Sequence, residues 1–451
     1  MSRIGNGVVS QQHFRGSLQL AALGDMLPDG EIELICQELG HSWRDRQLPP
    51  GITVRSMVHR ALNADRTIAA GVDNLVANGD VDEGLTDSAW CQARSRLPEA
   101  AWVYLMQNKA HELRDRVGEQ YLWFGRPVFR IDGSTLSMPD VPELAEAFGY
   151  APGTRDRSRF PVARISFMVL AGVEGIWDYR LDPYRVSEKA QLEDMWHTLP
   201  TGCVCVFDVY FSSFYILAKL RQRRVGVVTP LHHRRDPQEL IRRGKQIGPN
   251  EWIVTLDLAP SLRKKYADPT LPKRMQVRLI RVHVAHGRKR GDLWLVTTLM
   301  DPVRYPAKAI AKLYRGRWGV ETRIGSVKVT LALTVLRSKK EDHVRKEVAA
   351  ALLAHNLVWT LIHQAARQTG TPADRISFAR AVRIVTVFSE PLRDCPPEQR
   401  PCVYQRMLNR MAARTNPLRP NRVEPRQVKR DPVKYPFLTV SRAEARAKCL
   451  T

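Results

Sequence analysis

The apolar residues of this chain change their period twice, and that change limits what it can fold into. From about residue 30 to 118 they recur at three and four, as in Ile32, Leu34, Ile35 and Leu39, the spacing of one helix face. Breaks fall at Pro49-Pro50-Gly51 and Asn78-Gly79-Asp80. Past Trp123 short strand-like runs take over: Val128–Ile131, Ala163–Leu170, Cys203–Phe207, Val225–Val228, Trp252–Leu256, Val277–Val284 and Leu293–Thr298. Helical spacing returns at Pro306, a residue suited to a first turn, and continues to about Gln368. A chain that reads helical, then strand-rich, then helical is expected to be α/β, with an all-α domain ahead of its sheet.

Charge narrows the class of partner. Lys and Arg number 70 against 46 Asp and Glu, a net +24, which points to a polyanion, most often nucleic acid, and away from a generic small-molecule enzyme. Residues 401–451 concentrate the excess, with 12 Lys and Arg against Glu424, Asp431 and Glu444, and five prolines from Pro417 to Pro436 interrupt any helix. That stretch reads as an extended basic arm. No run of 18 apolar residues occurs, since the longest candidate, Ala349–Ile362, is broken by His355 and Asn356, so no membrane span is expected. The first residues lack a secretory pattern, and seven Cys without a C-x-x-C pair suit a reducing cytoplasm better than disulfides or structural zinc.

Two acids follow apolar strands. Asp132 opens Asp-Gly-Ser, a turn signal expected to end the first strand, and Asp208 follows Cys203–Phe207. Farther on come Tyr314, Arg317, Glu321 and Lys328. At about 100° per residue these lie at about 0°, −60°, −20° and −40°, on one face of a single helix. Such a face is polar and bears charge of both signs. It suits either a site or a plain i,i+4 Arg–Glu pair, and a break at Gly316 or Gly319 would remove Tyr314 and Arg317 from it. On the expected helix from Thr86 or Asp87, Gln92, Arg94 and Arg96 fit either phosphate contacts or a solvated basic face.

The Tyr-x2-Arg-x3-Glu-x6-Lys pattern resembles the signature of the insertion-sequence-four family of bacterial DDE transposases. Asp132-Gly133-Ser134 is similar to the family's first motif, usually Asp-Gly-Thr, and Phe207-Asp208 to its second. Arg-Gly-Phe or Arg-Gly-Tyr often follows that second Asp; this chain has Val209-Tyr210-Phe211. Phe160–Arg164, Trp294–Thr298, Leu336–Lys339, Arg419–Arg426, Arg44–Pro49 and Ala93–Leu97 extend the resemblance across residues 30 to 440.

The resemblance implies a ribonuclease-H-like catalytic core at 121–372. A helical DNA-binding domain at 1–120 would precede it, and a helical and basic C-terminal region at 373–451 would follow. Asp208 and Glu321 lie 113 residues apart, too many for one crossover, so a β-rich, strongly basic insertion is expected at about 221–291. Asp132, Asp208 and Glu321 are the implied catalytic residues and ligands of two Mg2+ ions, for which Mn2+ can substitute. Two such ions stabilise charge at phosphorus during strand cleavage and transfer. Tyr314, Arg317 and Lys328 would hold the transposon end, Trp294 would stack on a flipped base, and Arg94 and Arg96 would meet DNA. The implied protein is a nucleoid-associated homodimer that synapses its element's inverted repeats and inserts them into double-stranded target DNA. The residues leave two further readings open: a DNA-binding remnant of a transposase, and a stand-alone metal-dependent nuclease.

Overall fold

A computed structural model describes residues 23, 26–44, 46–152, 160–286, 289–317, 325–331, 333–334, 336–417, 440 and 447–448. Glu321 and nearly all of the basic arm lie outside the described residues. The chain divides into two compact units, residues 1–117 with 325–416, and residues 118–324 with 417–451.

The second unit is built on one sheet. Strands β1 (Val128–Ser137), β2 (Val162–Leu170) and β3 (Ile176–Pro183) form an antiparallel meander, while β4 (Val204–Val206) and β5 (Gly226–Pro230) run parallel to β1. The sheet order is β3-β2-β1-β4-β5, the frame of a ribonuclease-H-like α/β core, and it continues as β9-β8-β7-β6. The added strands are β6 (Lys245–Gly248), β7 (Glu251–Asp257), β8 (Arg274–His286) and β9 (Lys289–Thr297). The β-rich insertion is therefore not a separate layer: β9 pairs with β5 from Val228↔Thr297 to Pro230↔Leu295 and extends the same ladder. One apolar cluster joins both parts, with Val128, Val204, Val206 and Val228 of the core packed together with Ile280, Val282 and Leu295 of the insertion.

Helices cover this sheet where the chain crosses over. α6 (Pro142–Phe148) follows β1, α7 (Glu188–Met195) leads from β3 toward β4, and α8 (Phe214–Gln222) joins β4 to β5. The insertion adds α9 (Pro237–Arg242) and α10 (Pro260–Tyr266), and α11 (Ala307–Arg315) buries Ile310 in the shared cluster.

The first unit is helical. α1 (Asp29–Glu38), α2 (Pro50–Leu62), α3 (Ile68–Ala77), α4 (Asp87–Arg96) and α5 (Glu99–Val117) are joined by α12 (Glu341–Thr369), α13 (Phe378–Asp394) and α14 (Arg400–Ala412). Thr67 and Thr86 cap α3 and α4 by accepting from Ala70 N and Ala89 N. α12 is long and apolar enough by composition to cross a membrane, yet it is the core of this unit, with Leu352, Leu353, Leu357, Trp359 and Leu361 fully buried. Because α12 packs on α2, α5 and α14, residues 325–372 group with the N-terminal helices here, whereas the sequence reading placed them with the sheet.

Three local expectations change. β1 does not stop at Asp132: it pairs with β2 without interruption from Phe129↔Leu170 to Ser137↔Val162, so the ladder overrides the turn tendency of Asp-Gly-Ser. The helix begun near Pro306 is not continuous to Gln368. α11 ends at Arg315, where Gly316 N donates to the carbonyls of Lys312 and Leu313; a π-helical turn spans Ser326–Thr330 and α12 starts at Glu341. Strands β3 and β6 had no counterpart in the sequence reading.

Candidate active site

β1 and β4 are parallel neighbours in register from Val128↔Val204 to Arg130↔Val206. The same offset of 76 residues separates Asp132, within β1, from Asp208, which lies two residues past the end of β4. Both are partly buried. Asp132 Oδ1 accepts from the N–H of Gly133 at 2.9 Å, and its Oδ2 lies 3.6 Å from Nη1 of Arg317. Asp208 caps a short 3-10 turn, Val209–Phe211, by accepting from Tyr210 N at 2.9 Å, while its carbonyl accepts from Thr229 Oγ1 at 2.8 Å. The turn shows how Val209-Tyr210-Phe211 serves after the second Asp: the backbone N–H of Tyr210 holds the carboxylate without calling on the side chains that follow it.

A further acid lies against Gly133, the residue after Asp132. Glu188 is the first residue of α7, whose start is capped by Ser187 accepting from Ala190 N. Its Oε1 is 3.1 Å from Nη1 of Arg164 on β2. Burial pushes the Glu188 carboxyl above its ordinary range, Arg164 draws it back, and the charges of Asp132 and Asp208 raise it again. Basic side chains lie on the Asp208 side. Lys189 Nζ lies 4.6 Å from the centre of the Tyr210 ring, and burial and then Lys265 lower its pKa against the pull of Asp208. His232 stacks on His233 at 4.2 Å, and its pKa is lowered by burial and then by His233, Arg235, Lys189 and Arg234.

The donor set suits a hard divalent cation. Carboxylate oxygens on adjacent strands are what Mg2+ takes while retaining water and phosphate oxygens as its other ligands. Among the described residues no three His, Cys, Asp or Glu converge closely enough to hold a metal by themselves, and the third implied ligand, Glu321, lies outside them.

The other expected site residues are spread more widely. Tyr314, on α11, is half-buried against the apolar cluster of the sheet, and Arg317 lies just beyond that helix with its side chain beside Asp132. Lys328 sits in the π-helical turn, where burial lowers its pKa. The single helical face expected for these residues is therefore not formed among the described residues. Trp294, on β9, is half-buried between Trp252 and Arg281, with the Arg281 guanidinium 5.8 Å from its ring centre. Arg96 is exposed at a cavity of about 370 Å3 that it lines with His41, Trp43, Arg44 and Arg46. Arg94 departs from expectation: it is 3% exposed and its guanidinium is committed to His343 Nδ1 at 2.7 Å. Glu188, Arg164 and Lys189, charged groups in the neighbourhood of these acids, are not picked out by any linear spacing.

Comparison with known proteins shows the family of the chain. The family model described as the transposase DDE domain matches residues 123–357, just over half of the chain. The chain belongs to the DDE transposases. Within that class it belongs with the insertion-sequence-four family. Transposase InsG for insertion sequence element IS4, from Escherichia coli (strain K12), is 26% identical over 424 residues, covering 92% of this chain and 93% of InsG. Putative transposase InsZ from the same organism is 30% identical over 216 residues, 44% of this chain and 70% of InsZ. A cryo-EM structure of the piggyBac transposase synaptic complex with hairpin DNA aligns at 10% identity with a TM-score of 0.41, covering 89% of this chain and 86% of that one.

Proposed function

We propose that this transposase binds the terminal inverted repeats of its own insertion sequence and carries out metal-dependent strand cleavage and strand transfer. The observation that supports this most directly is the placement of Asp132 on β1 and of Asp208 just past the end of β4, its parallel neighbour, inside the matched family domain that also contains Glu321. These three acids are the proposed catalytic residues and ligands of two Mg2+ ions, which Mn2+ can replace. Bound there, the ions would act as Lewis acids toward the attacking and leaving oxygens. The chain's own groups bring DNA to that point. Arg317, already beside Asp132, neutralises a phosphate near the scissile bond, and Tyr314 and Lys328 hold the transposon end. Trp294 stacks on a base turned out of the duplex. Two copies of the chain hold two ends of the element before joining them to target DNA.

The test is cleavage of a labelled duplex bearing the repeat that flanks the gene, with Mg2+ and with EDTA. End-specific nicking is expected with Mg2+ alone, and Asp132→Asn, Asp208→Asn and Glu321→Gln should each reduce it at least about a hundredfold, the scale of losing one preorganised charge stabiliser. Specific end binding with no cutting in any divalent metal would move the reading to a DNA-binding remnant. Cutting with no preference for the repeat would move it to a nuclease.

A further inference from the structure

A cavity of about 580 Å3 in the helical unit is lined by residues of α2, of α4 and of the stretch that leads into α12. Six of its side chains are cationic: Arg60, Arg66, Arg94, Arg337, Lys339 and Lys340. None of the described residues that line it is an acid. We propose that this cavity docks backbone phosphates of DNA, and that residues 337–340 complete a binding surface which the N-terminal helices do not form alone. This rests on the reading of the chain as a DNA-binding transposase and gives part of that binding a definite place.

The way these cations are held leaves their charge for a ligand. Arg60 and Arg94 form the buried floor, 7% and 3% exposed. Arg60 Nε donates to the Arg66 carbonyl at 2.6 Å and Arg94 Nη2 to His343 Nδ1 at 2.7 Å. Both guanidinium groups also lie over the Trp90 ring, 5.7 and 5.1 Å from its centre. All of these partners are neutral. Arg66 likewise donates to the carbonyls of Asn63 and Thr330, both at 2.9 Å, and its Nη1 is buried with no hydrogen-bond partner among the described residues. Glu347 of α12 is engaged elsewhere: its carboxylate accepts from Arg337 N at 3.3 Å, Ser338 N at 3.0 Å and Ser338 Oγ at 2.6 Å. That grip fixes the backbone at 337–338, while the side chains of Arg337, Lys339 and Lys340 are exposed at the rim.

Burial, and after it Arg337, lowers the pKa of Arg66; burial, and after it Arg60, lowers that of Arg94. Like charges crowd here, and an anion among them relieves the repulsion. Six cations exceed what one phosphate can neutralise, which favours a polymer of phosphates. α4 supports that choice. Its Arg96 lines the second basic cavity, with Arg44 and Arg46, so one helix carries basic sites that suit successive phosphates of a strand. Exposed Ser88 and Gln92, on the same helix, add neutral donors of the kind that position a DNA backbone.

Fluorescence anisotropy of the full-length protein with a labelled duplex tests this without any cleavage step. Arg337→Gln, Lys339→Gln and Lys340→Gln combined should weaken binding about tenfold or more and reduce the slope of log Kd against log salt by about 3, one for each phosphate contact. The charge-matched control combines Arg383→Gln, Arg406→Gln and Arg414→Gln, exposed arginines outside the cavity, and should change the slope by less than about 1. Equal losses in the two triple variants, or wild-type binding in the first, would overturn the site. Absence of duplex binding by the wild type would instead sink the DNA reading, and this proposal with it. Cys91 lines the cavity and gives a readout in the unaltered chain. Its alkylation by N-ethylmaleimide, mapped by mass spectrometry, should slow severalfold in saturating duplex and stay unchanged in inorganic phosphate at the same phosphate concentration. Protection by inorganic phosphate but not by duplex would make this a small-anion pocket, and unprotected Cys91 under bound duplex would put the DNA elsewhere; each rejects the assignment.

Discussion

The His343 ring shows how one buried contact sets a pH response. Arg94 donates to Nδ1 at 2.7 Å, so the ring must be neutral with its proton on Nε2, which faces Ser95 Oγ at 2.5 Å. Burial and then Arg94 lower its pKa to about 4, and burial alone takes His59 to about 4. Both groups bind protons more readily once unfolded, so their contribution is complete above about pH 6.5 and is lost as pH falls toward 4. Thermal melting should therefore occur at a lower temperature at pH 5 than at pH 7, and His343→Gln should reduce that difference. An unchanged pH dependence in the variant would show that His343 plays no part. Asp132 and Asp208 were legible in the sequence because each follows an apolar run. Glu188 was not, because it opens a helix 56 residues beyond Asp132 and only the fold brings it against Gly133. Arg94 misled for a related reason: helical spacing shows which residues share a face, not whether another helix covers it.

Among the elements, β8 carries the sharpest test of the insertion. By alternation Arg278 reads as outward, yet it is 0% exposed. Its guanidinium meets Glu251 and the carbonyls of Leu299, at 3.3 Å, and Tyr305, at 2.7 Å, thereby tying β8 to β7 and to the connection before α11. Arg278→Met would leave Glu251 buried without its counter-charge, and urea denaturation should show a loss of about 3–5 kcal/mol. A variant as stable as the wild type would mean that solvent reaches Glu251. Strand positions were well marked by β-branched runs, but β6 was invisible because Lys245–Gly248 is short, polar and at the sheet edge. β3 was passed over because Asp178 and Arg180 interrupt its apolar residues, although Asp178 is completely buried. The end of α11 was harder to read, since glycine at 316 is compatible with both a weakened helix and a cap.

At the scale of the molecule, a net charge of +24 predicts binding dominated by phosphate contacts. Affinity for a duplex end, followed by fluorescence anisotropy, should fall about a thousandfold or more between ~50 and ~200 mM salt if about six phosphates or more are neutralised. A flat salt profile would separate the charge from DNA binding. The division into units carries a consequence for biosynthesis. Residues 1–117 share a compact unit with 325–416, and α12, the core of that unit, leaves the ribosome about 200 residues after α5. At ~5–20 residues per second the early helices wait roughly 10–40 s for the helix that buries them, while the sheet is completed in the interval. A message cut short before codon 341 would therefore yield a product with a finished sheet and an unclosed helical half, a natural substrate for cellular proteases.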